Sequence, residues 1–189
     1  MKHLIIGGSC RAGKSLLAKE ILKYHPEFNY ISTDDIRGAL LYAYPEKNFD
    51  HENFGEFRKV VYKLYERNKQ YSKIGKYMLM DGNQFSIDEY LNLYNDGDTV
   101  AVFVGKPQLS AEQYFNEVRE NEKMFGGWTS RHSDEKLMKF IKEYHQKNLE
   151  ECARVNELNL SNLFYLDTSF NQIEQIKDFA GKLETILKN

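Results

Sequence analysis

The run Gly8-Ser-Cys-Arg-Ala-Gly-Lys-Ser15 constrains the fold of this chain more than any other feature. It matches the phosphate-binding pattern G-x-x-x-x-G-K-[ST] at every fixed position. The short apolar run Leu4–Ile6 precedes it, and the segment Ser15–Leu22, which has a helical pattern, follows it. The sequence therefore predicts a strand, a glycine-rich turn and a helix in succession.

The predicted turn is suited to bind the phosphates of a nucleotide. A helix N-terminus has unpaired N–H groups and a partial positive charge, and both attract anions. Glycines let the backbone curl its N–H groups around the anion. We expect Lys14 to reach the outer phosphates and the hydroxyl of Ser15 to bind Mg²⁺. The predicted nucleotide-binding residues of the turn are Gly8, Ser9, Cys10, Arg11, Ala12, Gly13, Lys14, Ser15 and Leu16.

The composition fits a single domain over residues 1–189. Hydrophobic residues make up 41% and charged residues 29%, and the chain is long enough to bury a sizeable core. The net charge of −2 gives no electrostatic basis for binding long nucleic acid. The sequence has no apolar run that predicts a membrane span, and a predicted strand near Met1 leaves no room for a signal peptide. Cys10 and Cys152 have no metal-binding spacing. We expect a cytoplasmic protein, monomeric or homodimeric, with no membrane partner.

Short apolar runs alternate with longer helical patterns along the chain. Helical spacing of apolar residues occurs within about 52–74, from Leu137 through Val155, and near the C-terminus. This alternation predicts a parallel sheet covered by helices on both faces. The predicted strands are Lys2–Gly7, Phe28–Ser32, Tyr77–Met80, Thr99–Val104 and Leu163–Leu166. Helix caps are predicted where a serine precedes Glu or Gln by three residues, at Ser86, Ser110 and Ser169.

The segment after the second predicted strand carries candidate catalytic residues. Ligands of such sheets bind beyond the carboxyl ends of the strands, and Asp34 and Arg37 lie there, one helical turn apart. A carboxylate can accept the proton of an acceptor hydroxyl, and a guanidinium can bind an anionic group. We expect Asp34, or alternatively Asp35, to be the general base and Arg37 to position the acceptor. A capping role for Thr33 or Asp34 in the next helix is the alternative.

Asp81 follows the third predicted strand. A carboxylate at this point orients Mg²⁺ or its water in phosphate-binding loop proteins. The predicted metal site therefore consists of Ser15 and Asp81, and a turn-forming Asp-Gly pair is the alternative. Asn83 and Gln84 are further candidates for substrate contact.

The segment 119–132 is expected to form a lid. Gly126-Gly127 could act as its hinge, and Arg119 and Arg131 could neutralise charge on the transferred phosphoryl group while the lid excludes water. A plain connection between two helices is the alternative.

The turn after the last predicted strand contains Asp167, Thr168 and Ser169. In a sheet of this type the turn lies near the phosphate-binding loop, where a nucleotide base could rest. Ser169 is also expected to cap the last helix.

Taken in order, these elements resemble the P-loop kinases of small molecules, which include adenylate, shikimate and gluconate kinases. The D-x-x-R spacing of Asp34 and Arg37 is most similar to the polynucleotide-kinase and zeta-toxin branch, in which the aspartate is the general base and the arginine holds the acceptor. The resemblance implies a three-layer αβα P-loop NTPase fold with a five-stranded parallel sheet of order 2-3-1-4-5. It also implies a helical lid that carries arginine, and ATP with Mg²⁺ as the phosphate donor.

The predicted activity is an ATP-dependent phosphotransfer to a hydroxyl or phosphate of a small metabolite, nucleoside or nucleotide. Asp81-Gly82-Asn83-Gln84 lacks the Pro-Arg that follows Asp-Gly in adenylate kinase, which argues against AMP as the acceptor. The alternatives are an ATP-binding regulatory module with no acceptor and a toxin-like nucleotide-sugar kinase. A GTPase switch is disfavoured, because Asn68-Lys69-Gln70-Tyr71 lacks the aspartate of the guanine-reading N-K-x-D pattern.

Overall fold

The computed structural model describes residues 1–49, 52–71, 76–126 and 128–188. Within these ranges the chain forms five strands and seven α-helices. The strands are β1 (His3–Gly8), β2 (Phe28–Ser32), β3 (Tyr77–Asp81), β4 (Thr99–Gly105) and β5 (Leu163–Asp167). The helices are α1 (Lys14–Tyr24), α2 (Thr33–Ala43), α3 (Phe54–Lys69), α4 (Ile87–Glu89), α5 (Ala111–Phe125), α6 (Asp134–Leu158) and α7 (Gln172–Lys188). A π-helical turn follows α4 at Tyr90–Tyr94, and a 3₁₀ turn at Trp128–Arg131 lies between α5 and α6.

The five strands form one parallel sheet in the order β2-β3-β1-β4-β5, which confirms the predicted topology. Each predicted strand agrees with the observed strand to within one residue at either end. The register pairs Ile6 with Asp81 and Gly8 with Val104. The carboxyl ends of β1, β3 and β4 therefore meet at one edge, directly beside the glycine-rich turn.

Helices cover both faces of the sheet. On one face α1 and α7 bury Leu17, Ile21, Ile176 and Leu183 against the sheet. On the other face α3, the π-helical turn and α6 bury an aromatic-rich core whose members include Phe57, Tyr65, Phe85, Tyr94 and Phe103. These two cores enclose the sheet, and the fold is the three-layer αβα arrangement that was predicted. None of the described helices is long and apolar enough to cross a membrane.

The helix boundaries confirm some of the predicted caps and correct others. Ser110 forms a complete capping box with Gln113, and the hydroxyl of Ser86 accepts a hydrogen bond from the backbone of Glu89. The predicted cap at Ser169 is wrong: α7 begins at Gln172, and the Ser169 hydroxyl instead accepts a hydrogen bond from the backbone N–H of Gln108.

Two other expectations about helices need correction. Helix α2 already begins at Thr33, so neither Thr33 nor Asp34 is its N-cap residue. The pattern over 52–74 gives the shorter helix α3, which ends at Lys69, and residues 72–74 lie outside the described ranges.

Candidate functional site

The turn between β1 and α1 begins and ends with a backbone conformation that only glycine adopts easily. Gly8 and Gly13 have positive φ angles of 107° and 101°. A Cβ atom on Gly8 would lie 2.1 Å from the carbonyl oxygen of Val104. The backbone N–H of the next residue, Ser9, donates to that same carbonyl at 3.0 Å. The start of the loop is therefore fixed against the end of β4.

The loop also forms hydrogen bonds with three other parts of the chain: the end of β5, α6 and α5. The buried Thr168 hydroxyl donates to the carbonyl of Ala12 at 2.8 Å, which joins the end of β5 to the loop. The Ser9 hydroxyl donates to Asn148 Oδ1 of α6 at 2.6 Å. The Tyr114 hydroxyl of α5 donates to the carbonyl of Cys10. These hydrogen bonds tie the loop to the end of β5, to α6 and to α5.

Lys14, the first residue of α1, turns back over the loop. Its ammonium group donates to the carbonyls of Ser9 at 2.6 Å and Gly8 at 3.3 Å. Loss of hydration lowers the pKa of Lys14, and the nearby Cys10, Asp81 and Asp34 oppose this shift. The amine is thus a partly desolvated cation held at the mouth of the loop, as a phosphate contact requires.

Ser15 and Asp81 lie together, as the predicted metal site requires. The Ser15 hydroxyl donates to Asp81 Oδ2 at 2.8 Å, and Asp81 is only 2% exposed. Tyr30 of β2 donates to the other carboxylate oxygen at 3.0 Å, and burial together with the Asp81 charge raises the pKa of Tyr30 to about 12.

A hydroxyl and a carboxylate oxygen are ligands that Mg²⁺ prefers. Among the described residues there is no group of three or more His, Cys, Asp or Glu side chains that could hold a metal ion. A magnesium site at Ser15 and Asp81 would thus take its other ligands from phosphate oxygens and water, which is how this ion is commonly bound.

Asp34 and Arg37 lie in the first turns of α2, which directly follows β2. Arg37 pairs with Asp34 at 3.2 Å, and the Asp34 side chain is 65% exposed. Asp34 also lies close enough to Lys14 for its charge to raise the pKa of that lysine. The predicted base therefore lies within electrostatic range of the predicted phosphate-binding lysine.

Asn83 and Gln84 follow β3, which neighbours β2 in the sheet. Gln84 is buried and accepts a hydrogen bond from the Thr33 hydroxyl, so it joins the start of α2 to the end of β3. The side-chain oxygen of Asn83 is buried and accepts no hydrogen bond from the described residues. The Asn83 oxygen is therefore a candidate for substrate contact.

Arg119, one of the two predicted lid arginines, is held in place by its neighbours. Its guanidinium contacts Asp134 at 2.7 Å and Glu122 at 2.7 Å, and donates to the carbonyl of His132 at 2.9 Å. The hydrogen bond with Glu122 is the main cause that raises the pKa of Arg119. Arg119 therefore joins α5 to the start of α6.

Arg131 and the hinge region differ from Arg119. Arg131 is exposed at the end of the 3₁₀ turn, and its side chain makes no hydrogen bond or ion pair with any described residue. Gly126 has a positive φ of 59°, and its carbonyl accepts a hydrogen bond from Arg11 of the loop. The predicted hinge partner Gly127 lies outside the described residues. The end of α5 thus contacts the loop directly.

The turn after β5 uses most of its polar groups internally. Thr168 is fully buried under the loop. Asp167 accepts hydrogen bonds from Gln108 Nε2 at 2.5 Å and from the backbone of Ser169 at 2.8 Å. The turn lies against the loop as expected, and contact with a nucleotide base at Asp167, Thr168 or Ser169 stays a prediction.

Three residues of the site were not found from the sequence: Asn148, Tyr114 and Tyr30. Asn148 had a usable signal, because it is a polar residue on the buried face of α6, in helical register with Leu137 and Ile141. Tyr30 and Tyr114 had none, because tyrosine is common in cores.

The sequence comparisons identify no relative. No model of a protein family matches the sequence, and no curated protein matches it significantly.

Solved structures match over nearly the whole chain. A shikimate kinase from Bacteroides thetaiotaomicron has a TM-score of 0.56 at 16% identity, over 100% of this chain and 99% of that one. A gluconokinase from Sinorhizobium meliloti 1021 has a TM-score of 0.57 at 11% identity, over 99% and 95%. Deoxyadenosine kinase from M. mycoides, with bound dATP, has a TM-score of 0.53 at 15% identity, over 97% and 100%.

This likeness concerns the fold, since identities of this size do not indicate a shared substrate. None of the three is a polynucleotide kinase or a zeta toxin, so the resemblance to that branch stays a prediction. The comparisons and the sheet order together show that this chain has the three-layer αβα fold of P-loop kinases.

Proposed function

We propose that this protein is an ATP-dependent phosphotransferase that acts on a small metabolite, nucleoside or nucleotide. The observation that carries the proposal is the contact between Ser15 and Asp81 beside a preformed phosphate-binding loop. A loop that bound phosphate without metal chemistry would not need a buried carboxylate against the hydroxyl of its last residue. The kinase names of structures with the same fold, one of them with bound dATP, agree with this activity.

The loop residues fit the phosphates of ATP. The N-terminus of α1, with the backbone N–H groups of Gly13, Lys14 and Ser15, supplies donors and a partial positive charge. Lys14 reaches the loop mouth from the same helix and can exchange its carbonyl partners for phosphate oxygens. Bound Mg²⁺ would neutralise charge on the phosphates, and Ser15 and Asp81 would hold it.

Asp34 and Arg37 supply the acceptor half of the site. Asp34 accepts the proton that the acceptor hydroxyl loses as its oxygen bonds to the γ-phosphorus, while the bond from that phosphorus to ADP breaks. Arg37 holds Asp34 at 3.2 Å and orients it, and it can also contact an anionic group of the acceptor. The exposure of Asp34 leaves room for an acceptor beside Lys14.

Arg131 is the better candidate for the closing arginine, and Arg119 positions the segment that carries it. Arg119 is already held by Asp134 and Glu122, whereas Arg131 is exposed. Closure over the loop would bring a guanidinium to the transferred group and exclude water. The contact of Arg11 with Gly126 gives the loop and this segment a direct connection.

A transfer screen tests the proposal. The purified protein is incubated with ATP, Mg²⁺ and nucleosides, sugars, sugar acids and their phosphates, and products are identified by mass spectrometry. We expect at least one phosphorylated product with the wild type and none with Lys14→Met. Tight ATP binding without product from any acceptor would instead support the ATP-binding regulator.

A further inference from the structure

Three consecutive residues of the loop contact the helices α5 and α6. Buried hydrogen bonds join Ser9 to α6 and the carbonyl of Cys10 to α5. The third contact is made by the side chain of Arg11, whose guanidinium donates to the carbonyl of Gly126, the C-cap residue of α5. Arg11 and Gly126 are both partly exposed. This third contact therefore lies at the surface, where it can open without disturbing the core.

The Arg11–Gly126 contact joins a charged donor to an uncharged acceptor. Arg11 makes no ion pair with a described residue, and Glu122, near the end of α5, is paired with Arg119 at 2.7 Å. The backbone of Arg11 has a φ of 56°, in the left-handed region that residues other than glycine rarely adopt. A guanidinium binds a phosphate more strongly than a carbonyl, because both partners are charged and two parallel hydrogen bonds can form. The partner that Arg11 has here is thus a weaker one than a phosphate would be.

The end of α5 carries the segment that was predicted to be a lid. Arg119 donates to the carbonyls of Thr129 at 3.3 Å and His132 at 2.9 Å, so it fastens the 3₁₀ turn Trp128–Arg131 to α5. Arg11 in turn fastens the end of α5 to the loop. The position of the 3₁₀ turn relative to the loop therefore depends on whether the Arg11 contact is made.

Phosphates bound by the loop would compete with Gly126 for Arg11. Arg11 lies in the middle of the loop, and the backbone between Gly8 and Lys14 is the part that would surround the phosphates. A ligand that binds one conformation of Arg11 more tightly than the other shifts the population towards that conformation. Occupation of the loop should therefore draw the guanidinium away from the end of α5.

We propose that the Arg11–Gly126 contact is a latch that holds the 3₁₀ turn Trp128–Arg131 in the nucleotide-free protein and opens when a triphosphate occupies the loop. This inference rests on the proposed function, since it requires that the loop binds nucleotide phosphates. Opening frees the end of α5, so that the 3₁₀ turn can bring Arg131 towards the loop. Because phosphate charge opens the latch, a triphosphate without a base should act like ATP, and a nucleoside should not.

The test uses the fluorescence of Trp128, which is the only tryptophan of the chain and belongs to the 3₁₀ turn. Its emission maximum and its quenching by acrylamide are measured in the full-length protein without ligand. The same measurements are made with Mg²⁺ and a non-hydrolysable ATP analogue, with Mg²⁺ and tripolyphosphate, and with adenosine. Isothermal titration gives the concentrations that saturate each protein, so that weaker binding is not mistaken for a smaller response.

Three variants are compared with the wild type. Arg11→Met removes the donors and keeps an unbranched side chain, and Arg11→Lys keeps a positive charge. Lys123→Met is the matched control, because it removes an exposed cation from the last turn of the same helix α5. The melting temperature without ligand shows whether each variant is folded.

We expect the analogue and tripolyphosphate, but not adenosine, to shift the Trp128 signal of the wild type and Lys123→Met. Ligand-free Arg11→Met should already differ from the wild type, in the direction of its nucleotide-bound form, and lose most of the response. Arg11→Lys should keep about half of it, since lysine offers a charge without the planar fork. A full response of Arg11→Met, or an equal shift with adenosine, would overturn the latch.

The outcomes also separate the latch from the proposed function. A wild type that binds the analogue with no shift of the Trp128 signal would overturn the latch alone. A response that depends on Arg11, without transfer to any acceptor in the screen above, would leave the latch standing and overturn the phosphotransferase function. Failure of the wild type to bind either the analogue or tripolyphosphate would overturn both.

Discussion

The hydroxyl of Ser15 lies 2.8 Å from the carboxylate of Asp81, although 66 residues separate them in the chain. The sheet register explains this contact, because β1 and β3 are neighbours and Ile6 pairs with Asp81 at their carboxyl ends. The loop that follows β1 must therefore begin beside the end of β3. The pair is assembled by the parallel sheet before any metal binds.

Removal of either member of this pair should weaken the effect of Mg²⁺ on ATP binding. We expect Mg²⁺ to strengthen ATP binding by about 10-fold or more in the wild type, and by much less in Asp81→Asn and Ser15→Ala, because each variant loses one ligand. Isothermal titration with and without Mg²⁺ measures this. Tyr30→Phe is the control, since it removes a hydrogen bond to Asp81 but leaves the carboxylate. Equal magnesium effects in all four proteins would exclude this metal site.

Thr168→Val should destabilise the protein although the two side chains have nearly the same shape. The Thr168 hydroxyl is buried and donates to Ala12, so its loss leaves a loop carbonyl without a partner. We expect a loss of about 1–3 kcal/mol in the free energy of unfolding, and weaker ATP binding. Urea titration measures the first and isothermal titration the second. Thr185→Val, at an exposed position of α7, is the control and should change neither the free energy of unfolding nor ATP binding. An equally small effect of Thr168→Val would contradict a role of the Thr168 hydroxyl in supporting the loop.

Gly8→Ala and Gly181→Ala should have opposite effects. Gly8 has a φ of 107°, and a Cβ there would lie 2.1 Å from the Val104 carbonyl. We expect Gly8→Ala to cost more than about 4 kcal/mol, or to prevent folding. Gly181 lies within α7 with nothing within 4 Å of the added Cβ, so Gly181→Ala should stabilise by about 0.5–1 kcal/mol. Thermal and urea unfolding compare the two variants, and a wild-type stability for Gly8→Ala would contradict the loop geometry.

Arg119→Met and Arg131→Met should separate structural from catalytic roles. Arg119 joins α5 to α6 through Asp134 and also pairs with Glu122 of its own helix, and its loss should lower stability by about 1 kcal/mol or less, since the pairs are partly exposed. The Arg131 side chain is exposed and makes no hydrogen bond or ion pair with a described residue, so Arg131→Met should leave the melting temperature unchanged and lower kcat by about 100-fold. Calorimetry and steady-state kinetics on both variants measure this. The reverse result would assign the closing role to Arg119.

Asp96 should make stability depend on acid pH. Burial disfavours its charge, but hydrogen bonds from Lys69 and Tyr65 outweigh this and lower the pKa of Asp96 below 3.8. The unfolded chain then binds the proton more readily, so the stabilisation is present above about pH 4 and is lost as pH falls through the folded-state pKa. Asp96→Asn should thus cost about 1 kcal/mol at pH 7 and less at pH 3.

Urea titrations at both pH values measure this difference. Asp178→Asn, at an exposed position of α7, gives the effect of removing a surface carboxylate. A cost for Asp96→Asn that is the same at pH 3 and pH 7 would contradict the ion pair with Lys69.

Local patterns predicted the sheet and the loop, because the signals lie within short segments. Apolar runs gave every strand to within one residue, and Gly8–Ser15 marked the loop with its following helix. The pairing of Ser15 with Asp81 also followed, since parallel strands bring their carboxyl ends to one edge.

The residues that support the loop depend on tertiary contacts that no local pattern encodes. Thr168 was expected at the mouth of the site. It is instead buried under the loop, where its hydroxyl donates to the carbonyl of Ala12. Ser169 has the spacing of a helix cap, but Gln108 uses its hydroxyl instead. Asn148 is in helical register with the apolar residues of α6, but that pattern does not say which element the face contacts, and its hydrogen bond with Ser9 is tertiary.

The most direct test of whether the loop and α2 form one phosphotransferase site is a transfer assay with ATP labelled in its γ-phosphoryl group. It compares the wild type with Asp34→Asn and Asp35→Asn. We predict that Asp34→Asn lowers kcat by about 100-fold or more, and that it binds ATP as the wild type does. Asp35→Asn, the neighbouring substitution on the same helix, should remain active. Full transfer activity of Asp34→Asn, or no transfer by the wild type to any acceptor, would contradict the shared site.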